Sequence, residues 1–241
     1  MLPFAVAMFQ ICRGRGLKRA AVGGAIVLMV AGIVVSFSRA GFLTLVAVFL
    51  AYLWKFGRSR ERGLVWAAVV LAVVALPLAP AGYFDRVSTI GSVDSDTTGS
   101  SEERWENMRV AFGYLVTHPL LGTGLGQNVL MLNDLSSSKW RMVHNMYLEY
   151  GVELGVLGLG IFVTLLVLAH RNAAGAAQRF QGDRQLFLLA QALHIALIAF
   201  AVAAMFHPGG YQFPFFYLLG LSVAVRQISL QRPATEPVGT P

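Results

Sequence analysis

An all-α polytopic membrane protein is the fold class the sequence predicts, and three observations predict it. Only 13% of the 241 residues are charged, about half the share of a soluble domain. The apolar residues, 56% of the chain, fall into blocks of roughly 15 to 20, the length a helix needs to cross the hydrocarbon of a bilayer. The basic residues gather in short loops between alternate blocks, which is the signature of membrane orientation and not of a nucleic-acid footprint. The net charge of +7 therefore implies membrane lipids and no nucleic acid as partner.

Taken in order, residues 1–12 are apolar but only about half a span long. Positive charge follows them at Arg13, Arg15, Lys18 and Arg19, the reverse of a secretory signal peptide, so they are expected to be the end of a span whose beginning is missing. Residues 20–38, 41–54 and 64–80 are the next predicted spans. After a long polar loop come 146–169, 185–206 and 213–225, giving about six full spans plus the partial one. The chain thus divides into N-terminal transmembrane helices (1–81), an outer loop (82–143), C-terminal transmembrane helices (144–228) and a disordered tail (229–241) rich in Pro and Thr.

Alternate loops hold thirteen Lys and Arg on one side and six on the other, five of the six within the one long loop. The richer side is expected in the cytoplasm, so that the long loop, Arg39 and the His207-Pro208-Gly209-Gly210 turn face outward, in a bacterium into the periplasm from the inner membrane. No internal repeat stands out, and the polar residues gather in the outer loop instead of on broken helices at mid-membrane. A transporter or permease, the rival from another class, would show the second pattern.

Within that loop, residues 87–101 are Ser-, Thr-, Gly- and Asp-rich with no apolar period and are expected to be mobile. A helix is predicted over 101–117, opened by a capping box of Ser100 with Glu103 and closed by His118-Pro119. At 100° per residue, Trp105, Met108, Phe112, Leu115 and Val116 share one face, with Arg104 and Arg109 on its opposite borders. Such a helix can lie in the interface plane with its arginines at phosphate depth.

Few residues carry chemistry. Arg39 divides a long apolar stretch into two barely spanning helices, which draws their turn to the membrane boundary, where a guanidinium meets an anion or snorkels to the headgroups. His144 has the side chain best suited to accept a proton at neutral pH, and Asn145 is placed to orient it or a substrate hydroxyl. A hydrogen-bonded boundary histidine is the competing reading. Glu149 and Glu153 lie one helical turn apart, and an acid in a first turn also complements the helix dipole. Asp94-Ser95-Asp96 has metal-binding spacing, but no strand precedes it. The lone cysteine, Cys12, excludes an intrachain disulfide and any multi-cysteine metal site. Gly122-Thr123-Gly124-Leu125-Gly126 lacks the lysine of a phosphate-binding loop and marks a tight turn. His194, inside a predicted span, is expected to hydrogen-bond within the bundle, and His207 to be a turn residue.

Several of these segments together resemble the O-antigen ligase and polymerase superfamily, in its C-terminal half. They are Ser38-Arg39-Ala40-Gly41; Arg104 ahead of a helix ending in His118-Pro119-Leu120-Leu121-Gly122-Thr123-Gly124; and His144-Asn145-x-Tyr147-Leu148-Glu149 with Glu153-x-Gly155-x-x-Gly158. Order, spacing and topology match over roughly residues 20–170. The resemblance implies an outward-facing, metal-independent glycosyltransferase without a cofactor. Its donor would be a glycan linked to polyprenyl diphosphate, such as undecaprenyl diphosphate, and its acceptor a hydroxyl of a lipid, sugar or protein. By that resemblance the functional positions are Arg39, Arg104 and His144, with Arg109, Asn145 and Glu149 expected to contact substrate. Met108 departs from the family pattern, which has an aromatic there. Family members usually have more spans, so this chain is expected to be a portion of a longer enzyme or a silent relative.

Overall fold

The computed structural model describes residues 1–56, 100–135 and 141–231, and among them every regular element is helical. The predicted span 64–80, the stretch 87–99 with Asp94 and Asp96, the Ser100 side chain as a cap, and the tail from residue 232 all lie outside the described residues. The helices are α1 (Leu2–Ile11), α2 (Gly16–Val35), α3 (Arg39–Phe56), α4 (Ser100–Thr117), α5 (Asn128–Leu135), α6 (Met146–Arg179), α7 (Arg184–Ala203) and α8 (Phe213–Gln231). Among the described residues five helices, α2, α3, α6, α7 and α8, are long and apolar enough to cross a membrane. The chain is a multi-pass α-helical membrane protein.

Helix α7 is the centre of the bundle. Half of its spanning window is buried, against none for α2, and it packs on α1, α3, α6 and α8. Its buried Ala190 clusters with Ala176 and Ala177 of α6, its Ala192 and Ala199 with Ala51 of α3, and its Leu193 and Leu197 with Ala169 and Ala173 of α6. Lipid is as apolar as leucine, so helices associate by close packing, and small side chains permit the approach. The exposed Leu28, Trp54, Leu157 and Ile161 are the complementary, lipid-facing surface.

Chain direction follows from three contacts. Phe9 of α1 lies under the Arg19 guanidinium of α2, so these helices form an antiparallel hairpin. Arg184 at the start of α7 donates to the Gln10 carbonyl at 3.3 Å. At the other end of α7, the Ala204 carbonyl accepts from the Met146 N–H of α6 at 2.8 Å. Since α2 runs away from the Arg184 end and turns into α3 through residues 36–38, Arg39 stands at the same end of the bundle as His144. Phe37 carries that turn at φ 50, and the Ser38 hydroxyl caps α3 by accepting from the Gly41 N–H at 3.1 Å.

Helix α6 runs on to Arg179, ten residues past the predicted end of its span at residue 169. At 1.5 Å per residue its 34 residues are longer than the roughly 30 Å of bilayer hydrocarbon. Its first half is pinned by aromatics: Phe162 stacks on Tyr150 with centroids 4.5 Å apart and meets Phe215 of α8 at 5.0 Å.

Candidate active site

The site is built around a break in α6. Gly155 has φ 66 and ψ −169, a conformation open essentially to glycine alone, and the break frees backbone groups that lipid could not satisfy. The segment after α4 supplies the partners. Val156 N–H donates to the Pro119 carbonyl at 2.8 Å, Thr123 N–H to Val152 at 2.8 Å, and Gly124 N–H to Glu153 at 3.0 Å. The approach admits no side chain, for a Cβ on Gly122 would stand 2.5 Å from the Glu153 carbonyl oxygen and one on Gly155 2.4 Å from that of Leu120. The motifs His118–Gly124 and Glu153-x-Gly155 are therefore two halves of one joint.

Beside the joint, Glu153 is fully buried and saturated with donors. Its carboxylate accepts from Gly126 N–H at 2.8 Å, Asn128 N–H at 3.2 Å, the Asn128 side-chain amide and the Tyr211 hydroxyl at 2.6 Å. Burial, and then the bond to Glu153, raise the Tyr211 pKa, so that its hydroxyl keeps the proton it donates. One turn earlier, Glu149 accepts from Gly209 and Gly210 N–H at 2.9 and 3.0 Å, while the Tyr150 hydroxyl donates to the Gly210 carbonyl. These bonds fasten the 204–212 turn, which carries His207, to the first turns of α6.

His144 stands just before α6, half-buried. Its Nδ1 lies 2.9 Å from the Met142 carbonyl. A carbonyl only accepts, so Nδ1 carries the proton and Nε2 is the basic nitrogen. Its pKa is held below the usual histidine value, first by desolvation and then by the positive charges of Arg104, His207 and Arg141, against the raising effect of the Met142 bond. Arg141 in turn pairs with Glu103 of α4 at 3.0 Å, tying the loop helix to the segment that presents His144.

The predicted site residues are thus distributed unevenly. Arg104, with its field on His144, lies on the flank of α4 that also carries the buried Ala111 and Leu115. Arg109 is exposed, on the flank of Trp105, Phe112 and Val116, which are 60%, 59% and 62% exposed. The single apolar face expected for this helix is split: Leu115 is buried, its Cδ2 2.9 Å from where a Cβ on Gly151 would stand. Asn145 is the N-cap of α6, its Oδ1 accepting from Leu148 N–H at 3.1 Å. Glu149 is 6% exposed and engaged by the glycine turn. Arg39 is half-buried at the first position of α3. Residue types alone do not single out Arg141, Asn128 or Tyr211, and they mark His207 as a turn residue only.

The joint, the arginine-bearing helix and the histidine that opens α6 all fall within a match to a family model described as O-antigen ligase, over residues 24–163. The chain belongs to the O-antigen ligase family. No individual curated protein matches it. In this member of the O-antigen ligase family the joint brings residues 119–124 and 152–156 into direct backbone contact, with His144 just before the N-cap of the same helix.

Proposed function

We propose that this chain is the part of a membrane glycosyltransferase that moves a glycan from a polyprenyl-diphosphate carrier to an acceptor hydroxyl at the periplasmic face of the bacterial inner membrane. Membership of the O-antigen ligase family supports the class of activity, and the thirteen-to-six division of Lys and Arg supports the orientation. The observation that carries the chemical reading is the state of His144. Its Nδ1 is occupied by the Met142 carbonyl, and burial with neighbouring cations keeps it neutral. Nε2 is then available to take the proton of an acceptor hydroxyl as it attacks C1 of the donor sugar.

The leaving group is a diphosphate, which gains negative charge as the C1–O bond breaks. Guanidinium groups can stabilise that charge by two-pronged contacts without a metal ion, and this is the role we assign to Arg104 and Arg39. Arg104 bears on the imidazole electrostatically, and Arg39 stands at the same bundle end. Arg109, on the exposed apolar flank of α4, and the amide of Asn145 serve as substrate contacts at the headgroup level, and Glu149 acts through the turn it fastens. The donor's lipid tail accounts for a site at the membrane boundary. The acceptor is a lipid, sugar or protein hydroxyl, as in lipopolysaccharide and related polysaccharide assembly.

The test is transfer from an undecaprenyl-diphosphate-linked oligosaccharide in proteoliposomes, with donor affinity measured separately. His144→Ala should lower turnover by roughly 10²- to 10⁴-fold and leave donor binding near its original value, because the proton moves only in the transition state. Normal turnover in this variant, or a loss of donor binding as large as that of Arg39→Ala, removes the base assignment.

A further inference from the structure

We propose that Glu153 is a buried counter-charge for His144, acting through a relay of hydrogen bonds that runs from the imidazole through the Met142–Val143 peptide unit and the Asn128 side chain to the Glu153 carboxylate. The proposal rests on the role of His144 given above and assigns two positioning residues to it.

The relay can be traced atom by atom. His144 Nδ1–H donates to the Met142 carbonyl at 2.9 Å. That carbonyl belongs to the same planar peptide unit as the Val143 N–H, which donates to Asn128 Oδ1 at 3.0 Å. The other half of the Asn128 amide, Nδ2–H, donates to Glu153 Oε1. Every donor along this path points away from the imidazole and towards the carboxylate. Hydrogen bonds aligned in one sense polarise one another, most of all where the surroundings are dry. Here Val143 and Glu153 are both fully buried and Asn128 is 4% exposed. When Nε2 takes a proton, the positive charge that appears on the ring is drawn through two amide groups towards Glu153. The charges of Arg104 and Arg141 that face His144, with the His207 imidazole beside them, oppose that charge, and the relay, buried from Val143 inward, favours it. It also fixes the ring, since the peptide unit that receives Nδ1–H cannot turn without breaking the Val143 bond.

Glu153→Gln removes the charge while leaving the fold a way to survive. The glutamine Oε1 can keep both Asn128 donors, and its amide can donate to the Tyr211 hydroxyl, which accepts as readily as it donates; the one bond given up is that from the Gly126 N–H, whose acceptor was Oε2. The double variant Glu153→Gln/Asn128→Asp reverses the pair. The aspartate accepts from Val143 N–H and from the glutamine amide, so the relay ends in a carboxylate one link nearer the imidazole.

The probe is diethyl pyrocarbonate, which acylates neutral imidazole, applied over a range of pH to the full chain in lipid nanodiscs and quantified at His144 by mass spectrometry. No transfer reaction is needed. In Glu153→Gln the midpoint of His144 should fall by about half a pH unit, because the charged ring has lost its counter-charge. In the double variant it should return to the original value or above, with the buried His194 unreactive in both. A merely structural role gives the opposite sign, since a loosened segment lets water reach the ring and moves the midpoint up towards 6.5. An unchanged or raised midpoint in Glu153→Gln, no recovery in the double variant, or reaction at His194 overturns the relay. The two readings fail separately. Normal turnover in His144→Ala removes the catalytic role without touching the midpoint shift, and a fixed midpoint removes the relay while the loss of turnover in His144→Ala stands.

Discussion

Replacing Gly155 by alanine tests the joint between the loop and α6. The new Cβ would stand 2.4 Å from the Leu120 carbonyl oxygen and 2.6 Å from that of Pro119, and neither backbone atom can rotate aside. The backbone at φ 66 and ψ −169 costs a non-glycine residue about 1–3 kcal/mol. If alanine instead straightens the helix, residues 119–124 are pushed off it. Three backbone bonds, from Val156, Thr123 and Gly124, are then at risk at about 0.5–1.5 kcal/mol each. Keeping the bend thus costs about 1–3 kcal/mol besides the contact with the two carbonyls, and straightening it about 1.5–4.5 kcal/mol, so the loss is about 1–5 kcal/mol by either route. Gly160 is the control, a glycine of the same helix with nothing within 4 Å of a built Cβ, where alanine should be neutral or favourable by up to about 1 kcal/mol. Unfolding by sodium dodecyl sulfate in mixed micelles, followed by tryptophan fluorescence, measures both. Glycosyl transfer should fall with Gly155→Ala as well, because Gly126 and Asn128 follow directly from the displaced segment. Equal stability of the two alanine variants, to within about 0.5 kcal/mol, would refute the joint.

Three further outcomes are expected. Since the His144 pKa is lowered and the neutral ring is the working form, kcat/KM should be level through neutral pH and fall on acidification with a midpoint below 6.5; Arg141→Gln, which removes one of the opposing cations, should move that midpoint up. Arg39→Ala and Arg104→Ala should weaken donor binding and turnover together, because the diphosphate is charged before and during the reaction, and Arg39→Lys should rescue only in part, since a point charge lacks the two-pronged contact; full rescue by lysine would argue for simple charge screening. For orientation, Asp134→Cys and Gln181→Cys, each made in a Cys12→Ser background, should react with an impermeant thiol reagent from opposite faces of the membrane, Asp134→Cys from outside in intact cells.

The spans were legible because a bilayer demands a fixed length of apolar helix, whatever the tertiary structure. The extension of α6 to Arg179 was not, because His170, Arg171 and Asn172 end the apolar block while the alanines beyond them, Ala173, Ala176 and Ala177, continue as a buried stripe. The break at Gly155 was hidden for a different reason. A glycine inside an apolar run has the signature of a small packing residue, and the groups that replace its lost helical bonds come from Pro119, Thr123 and Gly124, remote in sequence. The same remoteness concealed Asn128, a single polar residue opening the short helix α5.

The two glutamates show where spacing alone misleads. At four residues apart Glu149 and Glu153 are neighbours on one helical face, as a catalytic carboxylate pair would be. Their partners nonetheless diverge, Glu149 turning to Gly209 and Gly210 and Glu153 to Gly126, Asn128 and Tyr211. Each carboxylate fastens a different outer segment to α6, one carrying His207 and the other held to the segment of His144 by the bond from Val143 N–H to Asn128 Oδ1. The helix 100–117 carries a related ambiguity. Its period places Leu115 beside Trp105, yet one meets protein and the other stays exposed. In water an apolar face announces a protein interface, whereas at a membrane lipid satisfies it equally well, so periodicity finds the faces and leaves their partners undetermined. Charge separates them here: Arg104 lies on the flank that turns towards His144 and Arg109 on the flank that does not, which is why the two arginines, alike in sequence context, should respond differently to substitution.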